Sequence, residues 1–380
     1  MTGRRPSVPR TLVVTNDFPP RVGGVQQYVW NLVANLPSRK VAVLAPNWPG
    51  WREHDERMPV PVHRWPTPFM WPTDALFRRV LALIEEHRAQ VVLFGHGFPL
   101  PVMGPRLAAA GVPYVVLTHG AEVWLARTPA FGAAMRRAFA HARAVTAVSH
   151  YTARALRPLV PSNADFTVLH PAVDVDRFSS RADGAAVRAQ HGLEDRRVVL
   201  CVSRLVPRKG QDVLIAGLPT LERLIPGVVL LIVGDGPYRG ALERQAAPAD
   251  GGVVFAGEVP DAELPAYYAA GDVFAMPCRS RWGGLEVEGF GIVYLEAGAA
   301  GRAAVAGRSG GSEEAVADEV TGLLVEGGEP KAVALALARL LRDGAELERM
   351  GASARARVEQ DFTWTGRAQT LAAILRAAVA

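Results

Sequence analysis

Cysteine is scarce in this chain: Cys201 and Cys278 are the two among 380 residues. Both sit in apolar, strand-like contexts, which reads as buried thiols in a reducing compartment and excludes a disulfide scaffold. There is no C-x-x-C, no H-E-x-x-H and no closely spaced histidine cluster, so no structural metal is expected. No apolar run reaches the roughly 18–20 residues that span a bilayer. The basic stretch Met1–Arg10 runs straight into a strand-like segment, which is not the pattern of a signal peptide. The dinucleotide fingerprint G-x-G-x-x-G is also missing, which argues against a nicotinamide dehydrogenase.

What is present describes a large globular protein. Hydrophobic residues make up 49% and charged residues 21%, and the length suits two domains with separate cores. The charge is uneven. Residues 1–185 carry 21 Lys+Arg against 12 Asp+Glu, a net of +9, and the remainder carries 21 against 25, a net of −4. A basic half suggests an anionic partner, such as an acidic membrane surface or a phosphorylated acceptor; an Arg-rich composition without function is the bland alternative.

Strand-length apolar bursts alternate with helical patterns. The first series is Thr11–Thr15, Val41–Ala45, Val91–Phe94, Tyr114–Thr118 and Ala144–Val148, with helices at Val25–Leu36, Ala75–His87 and Ala130–His141 between them. The second is Val198–Ser203, Val228–Val233, Val253–Phe255, Val273–Met276, Ala303–Ala306 and Gly322–Val325. Helices near Lys331–Arg342, Ala345–Glu359 and Trp364–Ala380 close the chain. Continuous apolar strands alternating with helices predict α/β architecture with parallel sheets covered on both faces. The polar, broken segment Pro171–Glu194 reads as an inter-domain connector. The expected arrangement is two Rossmann-like doubly wound domains facing across a cleft, with ligands at the carboxyl ends of the strands.

Five motifs stand out, and all but the first fall at such ends. Glu288-Gly289-Phe290-Gly291-Ile292-Val293-Tyr294-Leu295-Glu296 is a glycine-rich turn entering a helix between two carboxylates. Free N–H groups suit an anion and carboxylates suit sugar hydroxyls, although a cap and a solvated face explain the same pattern. Asn16–Val25 places Gly23 and Gly24 before a helix, where the backbone can approach a phosphate or simply turn tightly. Arg204 and Lys209 share the loop after the first strand of the second series, where two cations can neutralise a diphosphate without a metal. Gly234-Asp235-Gly236-Pro237 reads as a helix-capping turn. His119 ends a strand of the first series, as a structural residue or as one aimed at the cleft.

Taken together and in this order, these motifs resemble the retaining glycosyltransferases of family 4, over essentially the whole chain. Asn16–Pro20, Arg208–Asp212, Ala270–Cys278 and Gly291–Glu296 are similar to stretches of actinobacterial phosphatidylinositol mannoside mannosyltransferases. The resemblance implies the GT-B fold. It divides the chain into an acceptor domain over 1–175, a donor domain over 176–363 and a crossing helix over 364–380. It implies transfer of a hexose, most often mannose from GDP-mannose, to a phosphatidylinositol mannoside-type lipid, by same-face substitution.

By the same resemblance, Arg204 and Lys209 hold the donor diphosphate and Glu296 the ribose. Glu288 and the backbone of Gly289, Phe290, Gly291 and Ile292 hold the transferred sugar and the phosphates. His119 lies beside the anomeric centre, Gly23 and Gly24 close over the diphosphate, Val259 meets the base and Asp17 faces the acceptor. The catalytic set is therefore His119, Glu288, Arg204 and Lys209. No metal is required, with Mg²⁺ stimulation left open, and no nucleic acid is expected as partner. The implied location is cytoplasmic, peripheral at the inner face of the plasma membrane. Two departures stand out: Gly301–Val305 lacks the family's usual proline, and Ser312 is unusual in its run. Neither touches the donor contacts.

Four of eight tryptophans, Trp48, Trp51, Trp65 and Trp71, precede a helix over Ala75–Arg88. Leu76, Val80, Leu83 and His87 share one face of that helix, with Arg78 and Arg79 beside it. This suits either an anionic bilayer surface or ordinary core packing. Other readings remain: a soluble transferase acting on a small-molecule or natural-product acceptor with a UDP- or GDP-sugar, a nucleotide-sugar epimerase of the same fold, and a non-catalytic sugar-nucleotide binder.

Overall fold

A computed structural model describes residues 6–179, 182–249 and 251–380. The first residues of the basic N-terminal stretch and part of the expected connector lie outside them. The described chain separates into two compact units, one running to Pro171 and taking up Trp364–Ala380, the other spanning Ala172–Thr363. Trp364–Ala380 thus belongs with the N-terminal unit.

The first unit is built on seven parallel strands: β1 (Thr11–Val14), β2 (Val41–Pro46), β3 (Val62–Trp65), β4 (Val91–Phe94), β5 (Tyr114–Thr118), β6 (Ala144–Ala147) and β7 (Asp165–Val168). Their order across the sheet is β3-β2-β1-β4-β5-β6-β7. The second unit holds β8 (Arg197–Val202), β9 (Val228–Val233), β10 (Val253–Gly257), β11 (Val273–Met276), β12 (Ala304–Gly307) and β13 (Gly322–Val325). Their order is β10-β9-β8-β11-β12-β13, again parallel throughout. In each sheet the order reverses beside the first strand, between β1 and β4 and between β8 and β11. A reversal of this kind opens a crevice at the carboxyl ends of the two strands. The loops that leave β1, β4, β8 and β11 are therefore where ligands are expected.

The central strands form because both faces are buried. Along β8, Val198, Leu200 and Val202 join one apolar cluster while Val199 and Cys201 join another. That is the alternation a strand imposes when helices cover both sides. Both cysteines are buried free thiols, and burial pushes Cys278 up to about 11.

The sequence reading passes over β3 and β7. Both are edge strands, VHRW and DFTV, and their residues are mostly half-buried. An edge strand with one open face needs no continuous apolar run.

The connector reading of Pro171–Glu194 is corrected. Gly184–His191 is a helix capped by the Asp183 carboxylate, which accepts from the Ala186 N–H at 3.2 Å. Phe178, Val187 and Leu193 are buried in the second unit's core. Polar residues on the open face of this short helix hide its single apolar stripe.

The helix Asp74–His87 resolves the choice left open for its apolar positions. Thr73 caps it, and Leu76, Val80 and Leu83 are wholly buried in the first unit's core. Core packing, not a bilayer, takes that face.

The closing helix Trp364–Val379 buries Trp364, Ala368, Leu371, Ala372 and Leu375, one stripe at helical spacing. It packs on the helix Gly24–Ala34, with the Trp364 ring 5.9 Å from Tyr28. The Tyr28 hydroxyl donates to Leu169 O at 2.9 Å. This ties the first glycine-led helix to the chain just after β7.

Candidate active site

In the second unit the loops after β8 and β11 meet around Glu288. This carboxylate is buried, and its Oε2 accepts from Lys209 Nζ at 2.7 Å and from Arg208 Nη1 at 2.6 Å. Burial alone would raise the carboxyl; the Lys209 and Arg208 charges outweigh it and hold Glu288 below the ordinary carboxylate value. Its main chain is clamped as well. Ser309 Oγ accepts the Glu288 N–H at 3.3 Å, and Gly311 N–H donates to Glu288 O at 2.9 Å. Ser312 is what shapes that clamp: its buried hydroxyl donates to Gly307 O at 2.6 Å and accepts from Ser309 N–H at 3.0 Å. The unusual Ser312 thus fixes the turn that supports Glu288.

Arg208 is held in turn. Its carbonyl accepts from Arg279 N–H at 2.9 Å, and the Arg279 guanidinium grips Asp212 at 3.1 and 2.7 Å. Arg281 takes Glu286 at 2.9 Å. Each of these two pairs is neutral. Arg204 differs from its neighbours, being exposed and, among the described residues, without a side-chain partner. Counting formal charges, Arg204, Arg208 and Lys209 less Glu288 leave a net of about +2, which matches the two negative charges of a diphosphate.

The helix Ile292–Ala299 starts beside this cluster. Gly291 leads into it at φ 93°, the left-handed region where glycine is favoured. No side chain caps it and no acid sits in its first turn, so its leading N–H groups and partial positive charge are open to an anion. Phe290 is buried, with Gly289 half-buried beside it.

Glu296 lies one turn into the helix. Tyr268 donates its hydroxyl to Oε2 at 2.6 Å. Burial raises this carboxyl above its ordinary value despite that hydrogen bond. Val259 is half-buried beyond β10, two strands away from β8, and packs against the apolar cluster that holds Phe290 and Tyr294. Asp235 is exposed, with Oδ1 accepting the adjacent Gly236 N–H at 2.6 Å; it turns the chain but does not cap the helix Arg239–Ala246, whose N-cap is Tyr238 without a side-chain hydrogen bond.

Opposite signs of pKa displacement make a pH test. Glu288 is depressed in the folded protein, so its contribution to stability is present above the unfolded value of 4.5 and is lost as pH falls through the folded one. Glu296 is raised, so its contribution is present below 4.5 and is lost as pH rises through its folded value. Urea midpoints taken from about pH 6 to about pH 3 should therefore fall more steeply in the wild type than in Glu288→Gln. Parallel curves would remove the ion pair from the account.

The first unit brings a second cluster to its own switch point. Asp17 follows β1, His96 follows β4 and His119 follows β5. His96 lies between two carboxylates, with Nε2 3.8 Å from Asp17 and Nδ1 3.3 Å from Glu122. Glu122 is wholly buried and accepts the N–H groups of Gly97 and His119, each at 3.0 Å. Burial would raise its carboxyl, but His96, His119 and the main-chain N–H groups of Glu122 and His119 bring it below the ordinary value. His119 Nε2 lies 2.7 Å from Gly95 O, which only accepts; that nitrogen carries the proton and Nδ1 is left as an acceptor. Burial and the neighbouring His96 keep His119 below the usual imidazole value, hence neutral.

Asp17 Oδ1 accepts from Gln26 Nε2 at 2.7 Å. Gly23 lies against the same amide. A Cβ there would fall 2.3 Å from Gln26 Oε1 and displace the amide that positions Asp17. Gly24 begins the helix with open space around it.

Sequence reasoning missed Arg208, His96, Glu122 and Gln26 as site residues. Arg208 was visible beside Lys209, and Gly95-His96-Gly97 at a strand's carboxyl end was a signal of the same kind as His119. Glu122 and Gln26 act through their neighbours, and only the fold brings them in.

The chain matches the family model described as glycosyl transferases group 1 over residues 184–357 and that of glycosyltransferase family 4 over residues 22–177. It is 44% identical over 372 residues to the GDP-mannose-dependent alpha-(1-6)-phosphatidylinositol monomannoside mannosyltransferase of Mycolicibacterium smegmatis, covering 96% of this chain and 97% of the relative. The chain belongs to the family 4 glycosyltransferases. A Corynebacterium glutamicum relative, named a GDP-mannose-dependent monoacylated alpha-(1-6)-phosphatidylinositol monomannoside mannosyltransferase, is 39% identical over 373 residues, 97% of this chain and 98% of the relative. The fold is that of solved GT-B glycosyltransferases. The Anabaena protein HepE, solved with UDP, superposes with a TM-score of 0.82 at 22% identity, over 97% of this chain and 99% of that one. A sucrose-phosphate synthase from Thermosynechococcus elongatus gives 0.77 at 22%, over 97% and 98%. In this glycosyltransferase charged side chains gather at the switch point of each sheet.

Proposed function

We propose that this glycosyltransferase moves mannose from GDP-mannose to a phosphatidylinositol monomannoside-type lipid, making an α-linkage with retention of configuration. The observation that carries the reading is the second unit's cluster: net charge for one diphosphate, an uncapped helix start, and a carboxylate held by two cations beside them. The relatives with full-length similarity supply the identity of sugar and acceptor.

On this reading, Arg204 and Lys209 take the diphosphate, assisted by the N–H groups of Gly291 and Ile292. They stabilise negative charge as it develops on the leaving phosphate. Glu288 uses one oxygen to hold the cations and keeps the other for hydroxyls of the sugar. Glu296 receives ribose hydroxyls once Tyr268 shares or yields its place, and Val259 bounds the base. His119 accepts a sugar hydroxyl at Nδ1, and Asp17, steadied by Gln26 and His96, orients the acceptor. Gly23 and Gly24 complete the phosphate contacts. We assign the acceptor to the first unit and the donor to the second. The chain supplies no evident nucleophile, so the leaving phosphate serves as base for a same-face attack. The two cations and the helix start neutralise the diphosphate without requiring a metal, and Mg²⁺ stimulation stays open.

For a lipid acceptor we propose peripheral association with the cytoplasmic face of the plasma membrane. No described helix is long and apolar enough to cross a bilayer. Contact falls instead to the exposed pair Phe69 and Trp71, whose rings stand 4.9 Å apart, with exposed Arg78 nearby in sequence. Asn16 clamps Met70, between the two rings, through both its main-chain groups at 3.1 and 2.7 Å. The aromatic segment is therefore tied to the same loop that carries Asp17.

The reading is tested by nucleotide release from a panel of GDP- and UDP-sugars, with and without phosphatidylinositol monomannoside. GDP release from GDP-mannose should rise about 10²-fold with the lipid present. Equal turnover of UDP-sugars, or release indifferent to the lipid, would point to the soluble transferase instead.

A further inference from the structure

At the opposite end of the first sheet, where β1 and β2 begin, the structure has a cavity of about 240 Å³. Arg10, Arg39, Lys40 and His87 line it, with Ser38 and Thr11 between them, and no acidic residue is among its lining. Arg10, Arg39 and Lys40 are exposed, and among the described residues none of the three forms an ion pair. Arg10 is steadied without being neutralised: Nη1 donates to His87 O at 3.4 Å, and its N–H donates to Gln90 Oε1 at 3.1 Å.

Three cations line one concavity with no carboxylate among its lining, so it carries a positive potential that attracts an anion. Arginine forks and a lysine ammonium are the donors that phosphate oxygens accept best. The volume is several times the ~30 Å³ share of one water, room for a phosphate group and what it is attached to. The site is separated from Asp17 by the length of β1, at least ~13 Å. It also uses much of the basic excess of residues 1–185 that the donor and acceptor residues leave unexplained.

We propose that this cavity is a second anion site, one that binds the phosphate group of a ligand distinct from the sugar donor. A soluble phosphate ester and a phospholipid headgroup offer the same chemistry.

The test is calorimetric titration with pyrophosphate, run with GDP saturating and repeated in Arg204→Gln, so that binding at the donor loop is subtracted. Anionic and neutral phospholipid vesicles form the second arm. Both are compared with the double variant Arg39→Gln/Lys40→Gln, whose exposed side chains can change without disturbing the fold, as circular dichroism would verify. Saturable pyrophosphate binding weakened roughly ten-fold or more in the double variant supports a soluble ligand. Loss confined to anionic vesicles supports a headgroup. Binding that is absent from both arms, or unchanged in the double variant, overturns the proposal.

Discussion

Glu288→Gln should lower the transfer rate about 10³-fold, a barrier increase of about 4 kcal/mol. The substitution keeps the side chain's shape and removes its charge. Lys209 and Arg208 then keep at most a neutral amide oxygen in place of the charged one that both share and repel each other beside the diphosphate. The sugar also loses an ionised acceptor for its hydroxyls. A stability cost accompanies this, because removing one partner of a buried ion pair leaves uncompensated charge. Breaking such a pair costs about 3–5 kcal/mol when fully enclosed. The Arg208 side chain is 27% exposed and can turn to water, so about 1–2 kcal/mol is expected here. Initial rates and thermal melts on one preparation separate the two effects. A folded variant with wild-type rates would remove Glu288 from the chemistry.

Arg204→Ala and Lys209→Ala should each slow transfer by about 10²-fold, roughly 3 kcal/mol, yet differ in stability. Arg204 is exposed and unpartnered among the described residues, so its removal costs the folded protein little while weakening the hold on the diphosphate. Lys209 is buried against Glu288, and its loss leaves that buried carboxylate to the half-buried Arg208 alone. The expected pattern is equal kinetic damage, with a lowered melting temperature for Lys209→Ala alone. Unchanged kinetics in either variant would sink the diphosphate assignment for that residue. Equal destabilisation of both would contradict the contrast between a free and a paired cation.

The legible parts of this protein are those a single segment encodes. Strands such as β8 and β9 announce themselves because burial on both faces demands an unbroken apolar run. Arg204 and Lys209 could be picked out because they sit on the loop that leaves a strand, and Glu288 and Gly291 because a glycine-rich turn enters a helix between two carboxylates. The edge strands β3 and β7 are not legible, since His63, Arg64, Asp165 and Thr167 break the apolar run, the Arg64 side chain being buried there with Asp55 as its ion-pair partner. The helix at Gly184–His191 hides for a similar reason.

Clusters assembled by topology are harder still. Asp17 and His96 meet because β1 pairs with β4, skipping β2 and β3. Glu122 becomes a positioning residue only when its carboxylate reaches back to Gly97. Arg10, Lys40 and His87 converge at the other end of that sheet for the same reason. Arg208 belongs to neither class. It lay in plain view, but charge alone does not say that it turns towards Glu288.

The central claim is the transfer itself, and its product tests it most directly. GDP-mannose labelled with ¹³C at the anomeric carbon is incubated with phosphatidylinositol monomannoside and the enzyme, and the lipid product is read by NMR. The expected product carries one added mannose whose one-bond carbon–proton coupling is that of an α-linkage. A lipid without label, or a β-linked mannose, would contradict the account.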